Sequence, residues 1–349
     1  MKTGGGPGLA SADVALQRAR SHLRGASSVE YIAIAGALAV VTLAGVRLLG
    51  ESLDGKSDEM AVSVATLEGT QGVPGAALDA LVGAAGEAGG KKAVEFDATK
   101  FADASARPVP GKPTIEGTSD GRAVHPNDVS QGQLADCYLI ATIAELALVA
   151  PDVLERGIEA RGKGTYAVTF HQQRGRSRGF EKVTVVVDDK FPCKNGGDAK
   201  SPAPLFCQPG DRDGDDHELW PMLYEKAYAQ WKGGYSAIGN GGSAAEALQA
   251  ITGKKSETFT PDAIGFEDLA KRIRQKQAVV AGTPKEGEHA LFKNDTLVHW
   301  HGYYVVGADS KARTITVRNP WGWDGNGITL AWDDFRATFK DVYVNPGRR

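Results

Sequence analysis

Apolar residues are distributed unevenly along the 349-residue chain. Residues 1–25 are rich in glycine and more basic than acidic, and an uncharged apolar run covers residues 32–46. Residues 47–49 can lengthen this run, because an arginine can extend its charged end to the membrane interface. Residues 51–123 are mostly alanine, glycine, proline and small polar residues, with too little apolar surface to offset the entropy of ordering. The pattern predicts a basic leader at 1–25, an apolar helix at 26–50 and a flexible tether at 51–123.

Beyond residue 124 the periodicity becomes that of a folded domain. Residues 136–150 form a long apolar run of helix-forming residues, so we predict a nearly buried helix ended by Pro151. In residues 219–234 large apolar side chains recur at steps of three and four, which predicts an amphipathic helix that stops at the two glycines. A further helix is predicted over 266–275.

Short apolar runs rich in β-branched residues predict strands, chiefly in the second half of this region. The predicted strands are residues 166–170, 183–189, 278–283, 303–309 and 314–319. A helical first half followed by a strand-rich second half predicts an α+β domain with two lobes, a helical one at 124–238 and a β-rich one at 239–349.

Composition narrows the class of protein. A hydrophobic content of 42% with 24% charged residues is typical of a globular protein. The net charge of −3 lacks the basic excess of a nucleic-acid binder, so we expect no nucleic-acid partner. Three cysteines are too few for a disulfide-dense scaffold or a four-cysteine zinc site.

Cys137 is the first candidate for chemistry. A lone cysteine is more often a buried structural residue, but this one begins the apolar helix directly after Asp136, a plausible N-cap. Unpaired N–H groups and the helix dipole at such a position favour a thiolate. The position therefore predicts a nucleophile.

A cysteine nucleophile needs a base and a group that orients the base. His301 precedes the strand 303–309 and Asn319 ends the next strand, so a hairpin would bring them side by side. Taken singly, His301 could be a core or edge residue, and Asn319 before Pro320 a turn former. The order Cys, His, Asn with wide spacing matches the papain-like arrangement.

Five segments together resemble the calpain family of cysteine peptidases. They follow the family's order over about residues 125–345 and are QGQLADCY (131–138), LWPMLYEKAY (219–228), GGSAAEALQAITG (241–253), LVHWHGYYVVGA (297–308) and RNPWG (318–322). The first is similar to the family's QGxLGDCW and the last is identical to the family's form.

The resemblance implies a papain-like two-lobed peptidase with its active site in the cleft between the lobes. Cys137 would be the nucleophile, His301 the general base and then acid, and Asn319 the group that orients the imidazole. Gln131 would donate its side-chain amide to the oxyanion together with the Cys137 N–H. Trp321 would shield the hydrogen bond between His301 and Asn319 from water.

Departures from the family pattern lie close to these positions. Tyr138 replaces the family's Trp, Ala135 its Gly and Gly302 its Ala. His289 and His299 are rivals for the base, although His299 aligns with a lysine of the family.

The resemblance also implies a calcium site, with Ca²⁺ held by Asp128 and Glu218. Oxygen ligands from two separated segments suit this cation. A second family site needs an acid where this chain has Gly325, so that site is not expected. The acidic residues between 211 and 216 are read as a solvated loop rather than a third site. Cys193 and Cys207 have no counterpart in the family pattern, and either a disulfide or two free thiols is open.

The N-terminal residues 24–31, RGASSVEY, followed by the apolar run, resemble the processing site of Flp-type (tight-adherence) pilins. The resemblance implies cleavage after Gly25 by a prepilin peptidase and contact with a pilus export machinery. The alternative is an ordinary uncleaved anchor that uses residues 32–49. Either interpretation places the domain outside the cytoplasm, because the positive charges precede the apolar segment.

The sequence thus predicts an exported calpain-like cysteine endopeptidase that acts on proteins or peptides and depends on calcium. It would be held at the bacterial inner membrane facing the periplasm or exterior, or be secreted or associated with a pilus. Two alternatives stay open: a transglutaminase-like acyl transferase, and a catalytically silent pilin-like surface protein with this fold.

Overall fold

The structure is a computed structural model that describes residues 101, 104–114, 123–175, 179–195, 202–213, 216–322 and 327–347. All of them belong to one unit of the chain. The predicted leader, the apolar helix and the tether as far as residue 100 lie outside the described residues. Within the described ranges, no helix combines the length and the apolar character needed to cross a bilayer.

Helices of very different length alternate with strands. They are α1 (Cys137–Val149), α2 (Pro151–Glu155), α3 (Trp220–Lys232), α4 (Tyr235–Ile238), α5 (Ala244–Thr252), α6 (Pro261–Arg274), α7 (Ala290–Lys293) and α8 (Trp332–Thr338). A short 3-10 helix at Pro126–Asp128 precedes them.

The strands are β1 (Ala104–Pro108), β2 (Ile158–Gly162), β3 (Thr165–Gln173), β4 (Phe180–Asp188), β5 (Lys190–Lys194), β6 (Gly210–Asp213), β7 (Asp216–Glu218), β8 (Glu257–Phe259), β9 (Ala278–Gly282), β10 (Gly302–Asp309), β11 (Thr314–Arg318), β12 (Ile328–Ala331) and β13 (Asp341–Asn345). A six-stranded sheet has the order β12-β11-β10-β9-β13-β8, and a smaller sheet has the order β2-β3-β4. Two ribbons complete the set, β1 with β5 and β6 with β7.

Helix α1 is the buried helix that the apolar run predicts. Nearly all of its side chains are buried, including one acid, Glu145. The helix ends at Val149, and Pro151 begins α2, since proline suits the first turn of a helix and disrupts its interior. The Glu145 carboxyl group satisfies a backbone N–H of the large sheet, since its Oε1 accepts the Val279 N–H at 2.9 Å.

Helix α3 confirms the second predicted helix. Its buried face carries Trp220, Leu223, Tyr224 and Tyr228, and the Phe170 ring of β3 packs edge-on against both tyrosines. The helix stops at Gly233, whose φ of 104° is a left-handed conformation that glycine adopts without strain.

The six-stranded sheet is covered on both faces, so its central strands are apolar throughout. Alternate residues of β9 and β10 belong to two different apolar clusters, as the two-residue period of a strand requires. Ala278, Val280 and Tyr304 pack in the cluster around α1, whereas their neighbours pack with α6 and α8.

The apolar clusters divide the domain differently from the predicted lobes. Helix α5 falls in the predicted β-rich lobe, 239–349, yet Ala247, Leu248 and Ile251 pack in the α1 cluster. The first lobe also contains the sheet β2-β3-β4. The small apolar face of α5 packs against α1 and β3, so α5 joins the apolar cluster of the first lobe.

Part of the predicted tether belongs to the fold. Strand β1 pairs antiparallel with β5, and Val109 is buried with its N–H donated to the Asp189 carbonyl at 3.1 Å. Lys112 continues this contact through backbone hydrogen bonds with His217 and Leu219. The composition of this segment did not reveal these contacts, because backbone pairing needs few large apolar side chains.

Cys193 and Cys207 are separate thiols rather than a disulfide. Both are buried, and each thiol hydrogen-bonds a different backbone carbonyl, Cys193 that of Phe191 and Cys207 that of Gln208. Of the two possibilities left open by the sequence, the structure has the free thiols.

Candidate active site

A cleft of about 650 Å³ contains the predicted nucleophile and base. One wall comes from the segment before α1 and from the loop before α5, and includes Gln131, Cys137 and Gly241. The facing wall comes from β9, the start of β10 and the start of β13, and includes Trp300 and His301. The sequence therefore brings residues more than 160 positions apart into one site.

Cys137 begins α1 at the floor of this cleft. The Gly302 N–H donates to its thiol, and a side chain on Gly302 would come within 3.2 Å of the Cys137 carbonyl oxygen. The first residue of β10 therefore lies directly against the nucleophile, which places His301 next to it. A side chain on Gly242 would likewise overlap the Tyr138 ring, at 2.4 Å, so glycine is needed there.

Burial opposes ionisation of the Cys137 thiol in this conformation. Burial raises its pKa to about 11; the Gly302 N–H acts in the opposite direction, and the nearby Asp136 carboxyl raises the pKa further. The effect predicted for the helix N-terminus is thus opposed by burial and by Asp136. Asp136 occupies the N-cap position, but its side chain makes no capping hydrogen bond and adds negative charge beside the sulfur.

His301 and Asn319 are hydrogen-bonded partners, as the predicted hairpin requires. Strands β10 and β11 pair antiparallel, and the distance between His301 Nε2 and Asn319 Oδ1 is 2.9 Å. Asn319 Oδ1 also accepts the Trp321 N–H at 3.1 Å, so it is fixed as an acceptor. His301 must then carry its proton on Nε2, which leaves Nδ1 as the nitrogen that can accept a proton.

Burial lowers the pKa of His301, and the Asn319 hydrogen bond acts in the opposite direction. The His301 ring lies 4.9 Å from the Trp321 ring, centre to centre, at an angle of 51°. The backbone is held by Thr283, whose Oγ1 accepts the His301 N–H at 2.9 Å and whose N–H donates to the His301 carbonyl. Sequence reasoning did not single out Thr283, which ends the run at 278–283.

Gln131 lines the cleft, but its amide is engaged within the protein. Its Nε2 donates to the Leu134 carbonyl at 2.7 Å and to Asp136 Oδ1 at 3.3 Å, while its Oε1 is buried without a partner among the described residues. Its backbone N–H donates to the Pro320 carbonyl at 2.8 Å. The segments that carry Gln131 and Asn319 are therefore tied together at the site.

A buried pair of acids under the nucleophile was missed by the sequence analysis. Asp136 and Glu225 are both almost fully buried and share a side-chain hydrogen bond, which requires a proton between two carboxyl groups. Burial raises the pKa of Asp136 to about 7 and that of Glu225 well above its usual range. Glu225 is the protonated member, and its Oε1 accepts the Cys207 N–H at 2.9 Å.

The rival histidines have other roles. The His299 ring stacks on Phe292 at 4.0 Å between ring centres. His289 is the N-cap of α7, where its Nδ1 accepts the Leu291 N–H, and its Nε2 is 3.5 Å from Asp334 Oδ1. Neither is engaged with Asn319.

The predicted calcium ligands lie close to each other and are buried. Gly210 separates them: its backbone pairs with Glu218 in the β6–β7 ribbon, and a side chain on it would come within 2.6 Å of Asp128 Cβ. Asp128 Oδ2 accepts the Trp220 Nε1–H at 3.1 Å and the His125 N–H at 2.7 Å. No cluster of three or more potential metal ligands occurs in the described part of the chain. Gly325 and the side chains of the acidic run at 211–216 lie outside the described residues.

Comparison with known proteins agrees with this arrangement. Calpain-9 of Mus musculus is 31% identical over 238 residues, which cover 64% of this chain and 32% of the relative. The calpain-2 catalytic subunit of Gallus gallus is 32% identical over 224 residues, covering 59% and 29%. Calpain-type cysteine protease ADL1 of Oryza sativa subsp. japonica is 27% identical over 265 residues, covering 64% and 11%.

The chain thus spans about a third or less of the length of the curated relatives it matches. The family described as calpain family cysteine protease matches residues 118–343, which include the whole cleft and both of its walls. With this match and the geometry of Cys137, His301 and Asn319, the chain belongs to the calpain family of cysteine proteases and carries that family's protease domain.

Proposed function

We propose that this chain is a cysteine endopeptidase that hydrolyses peptide bonds through a thioester on Cys137. The observation that carries the proposal is the 2.9 Å hydrogen bond from His301 Nε2 to Asn319 Oδ1 beside the cysteine. It leaves His301 Nδ1 as the acceptor for the thiol proton. A histidine oriented in this way is what a weak nucleophile requires.

The reaction would proceed in two halves. His301 Nδ1 takes the proton of the Cys137 thiol as the sulfur attacks the carbonyl carbon of the scissile bond. The C–N bond breaks, the imidazolium gives its proton to the departing amine, and the acyl group stays on sulfur as a thioester. Water, deprotonated by His301, then attacks the thioester carbon and the thiol is regenerated with the returned proton.

The oxyanion would accept hydrogen bonds from the Cys137 N–H and from the Gln131 amide. In the structure both Gln131 N–H groups are donated within the protein, the longer bond going to Asp136 at 3.3 Å. Exchange of this longer bond for one to the oxyanion would therefore accompany substrate binding. The high pKa of the thiol fits a mechanism in which His301 takes the thiol proton as the sulfur attacks the substrate.

The test is cleavage of casein by the full chain, with Cys137→Ala as the matched control. We expect the variant to lose at least about a thousandfold in rate, since the covalent route is removed. Equal cleavage by both proteins would refute the proposal. Amine incorporation without hydrolysis would favour an acyl transferase, and the absence of labelling by an epoxide inhibitor of thiol proteases would favour a silent surface protein.

We propose that calcium binds at Asp128 and Glu218 and regulates the domain. Carboxylate oxygens suit Ca²⁺. Both acids are neighbours of Gly210 in space, since Gly210 pairs with Glu218 and packs against Asp128. With two carboxylates, the remaining ligands would be backbone carbonyls and water. Because Asp128 Oδ2 holds the Trp220 and His125 N–H groups, metal binding would change the start of α3 and the segment leading to Gln131.

Substitution Asp128→Asn tests this site while keeping an oxygen that can accept the Trp220 N–H. We expect the calcium concentration for half-maximal cleavage to rise about tenfold, because one anionic ligand is lost. Asp333→Asn is the control, since the Asp333 side chain is 91% exposed. An unchanged calcium dependence in Asp128→Asn would rule out the site.

We further propose that the domain is exported and tethered by its N-terminal segment. The support is the RGASSVEY sequence before the apolar run and the basic residues ahead of it. N-terminal sequencing of the protein from its native membrane tests the proposal. A start at Ala26 is expected for prepilin processing, whereas an intact N-terminus would indicate an ordinary anchor. Recovery of the protein in the cytosol would contradict both.

A further inference from the structure

Trp300 stands immediately before the proposed base and is unusually exposed. Its side chain is 43% exposed, and among the described residues only Val186 and Trp321 are large apolar side chains with comparable exposure. Trp300 and Trp321 both line the cleft. His301 is thus accompanied by two exposed indoles, of which Trp321 already covers its hydrogen bond to Asn319.

The backbone of Trp300 is in a conformation that a bulky residue rarely adopts. Its φ is 49°, in the left-handed region, where a large side chain is strained. Hydrogen bonds on either side hold it there: the Trp300 N–H donates to the Pro284 carbonyl at 2.8 Å, and the His301 N–H donates to Thr283 Oγ1 at 2.9 Å. Glycine would satisfy this backbone without strain, so the indole is what the position adds.

The indole packs against the loop before α5, and both line the cleft. A side chain on Gly241 would come within 3.3 Å of Trp300 Cζ2, and Gly241 belongs to the facing wall. The Lys285 ammonium lies 5.8 Å from the centre of the Trp300 ring. The indole therefore packs against Gly241 through one edge, and its exposed remainder lies beside the proposed reacting groups.

We propose that Trp300 is a specificity-determining residue, whose indole forms the wall of a subsite for a large apolar side chain of the substrate, adjacent to the scissile bond. The inference rests on the proposed peptidase function. An aromatic or long aliphatic side chain laid on the indole removes apolar surface of both partners from water. Direct linkage to His301 keeps that side chain close to the bond that is cleaved. Lys285 and Lys340 also line the cleft, so an acidic side chain is the competing occupant that the test must include.

The test measures kcat/KM of the full chain on fluorogenic peptides in which each position flanking the scissile bond is varied in turn among Phe, Leu, Asp and Gly. We expect Phe and Leu to be preferred over Gly at one position by at least about tenfold. In Trp300→Gly this ratio falls to within about twofold while the Gly peptide is still cleaved, and in Trp300→Phe it persists. Val186→Ala, an equally exposed apolar residue outside the cleft, leaves the ratio unchanged.

Several outcomes would overturn the proposal. They are a wild-type preference for Asp over Phe and Leu, the absence of a preference, and a change by the same factor for every peptide in Trp300→Gly. A uniform rise would show that the indole blocks the cleft instead. Because glycine suits the positive φ, the variant should keep the backbone conformation, and thermal melting checks that it is folded. If it does not fold, Trp300→Asn replaces it, since asparagine tolerates this conformation.

Failure of the proposed function is distinguishable from failure of this inference. If the wild-type chain cleaves no peptide and an epoxide inhibitor does not label Cys137, the peptidase proposal fails. The subsite is then tested by binding, with Cys137→Ala and the same peptides. A preference of at least about tenfold in Kd for the Phe over the Gly peptide, lost in the double variant with Trp300→Gly, supports the subsite; equal affinities refute it.

Discussion

At the scale of single residues, burial opposes ionisation of both proposed reacting groups, Cys137 and His301. Burial raises the pKa of the Cys137 thiol to about 11 and lowers the pKa of His301. A thiolate and imidazolium pair is therefore disfavoured in this conformation. The Asp136 charge beside the sulfur contributes to the same result, because like charges oppose ionisation of the thiol.

Alkylation by iodoacetamide tests this state without any substrate. In the presence of EDTA, we expect Cys137 to react about a hundredfold more slowly at pH 7 than free cysteine, because its pKa is about two units higher than the usual 9.0. The rate should rise about tenfold for each pH unit up to pH 10. Mass spectrometry of the modified peptide gives the rate.

The control for this experiment comes from the other two cysteines. Cys193 and Cys207 are buried, so Cys137→Ser should lose the pH-dependent alkylation, and any remaining modification should be slower than that of Cys137. A rate that is already at its plateau below pH 7 would contradict the neutral state and indicate a resting ion pair.

The sequence predicts the identities of the proposed reacting residues but not their ionisation. The identities of Cys137, His301 and Asn319 follow from short motifs, because residues that share a chemical task keep recognisable neighbours along the chain. The ionisation state could not be predicted. It depends on burial, which arises only when the start of β10 packs against the start of α1.

At the scale of elements, helix α1 joins the two apolar clusters through Glu145. The Oε1 of this acid accepts the Val279 N–H, and the Val305 N–H also donates to the carboxyl group. Burial raises the pKa of Glu145 well above its usual value. The Glu145 carboxyl group therefore connects α1 to β9 and β10.

Replacement Glu145→Gln should change how stability depends on pH. Because the pKa of Glu145 is raised in the folded state, its stabilising contribution is complete below the unfolded-state pKa of about 4.5 and is lost as the pH rises toward the folded-state value. The slope is up to about 1.4 kcal/mol per pH unit. Glutamine keeps an oxygen acceptor and does not ionise, so the fall in Tm from pH 5 to pH 9 should be smaller in the variant.

A matched control separates burial from charge. Glu159→Gln changes an acid whose side chain is 66% exposed, and its pH profile should coincide with that of the wild type. If Glu145→Gln shows the wild-type slope in thermal melts, Glu145 is ionised in the folded protein and its assigned state is wrong.

The apolar pattern predicts the elements with strong periodicity. It does not predict elements that are held by backbone pairing with segments distant along the chain. Helices α1 and α3 and strands β3, β4, β9, β10 and β11 lie where the apolar pattern places them. The predicted helix at 266–275 follows Gly265, whose non-helical backbone separates it from a preceding turn of helix that begins at Pro261 and is capped by Thr260. Strand β1 was not predicted, because its backbone pairing with β5 leaves no local apolar pattern in the sequence.

At the scale of the whole molecule, the boundary of the domain lies upstream of the predicted one. Strand β1, Val109 and Lys112 contact the lobe that contains α1 and α3. Stability should therefore depend on residues that the composition assigned to the tether.

Two truncations test this boundary. Removing residues 1–100 should leave Tm unchanged, whereas removing residues 1–123 should lower it by about 5 °C or more, since β1 and the buried Val109 are lost. Differential scanning fluorimetry of the two proteins at equal concentration gives the comparison. Equal melting temperatures would place the boundary near Val124, as the sequence predicts.

The backbone bond from Gln131 to Pro320 has a mechanical consequence. Together with the bond from Ser130 Oγ to the Trp321 carbonyl at 3.0 Å, it joins the segment before α1 to the segment after β11, in addition to the bond from Val279 of β9 to Glu145 of α1. If these bonds persist while the walls move, the walls rotate about the bonded segments. The spacing between Gln131 and Asn319 would then stay nearly constant while the far end of the cleft widens to admit a polypeptide.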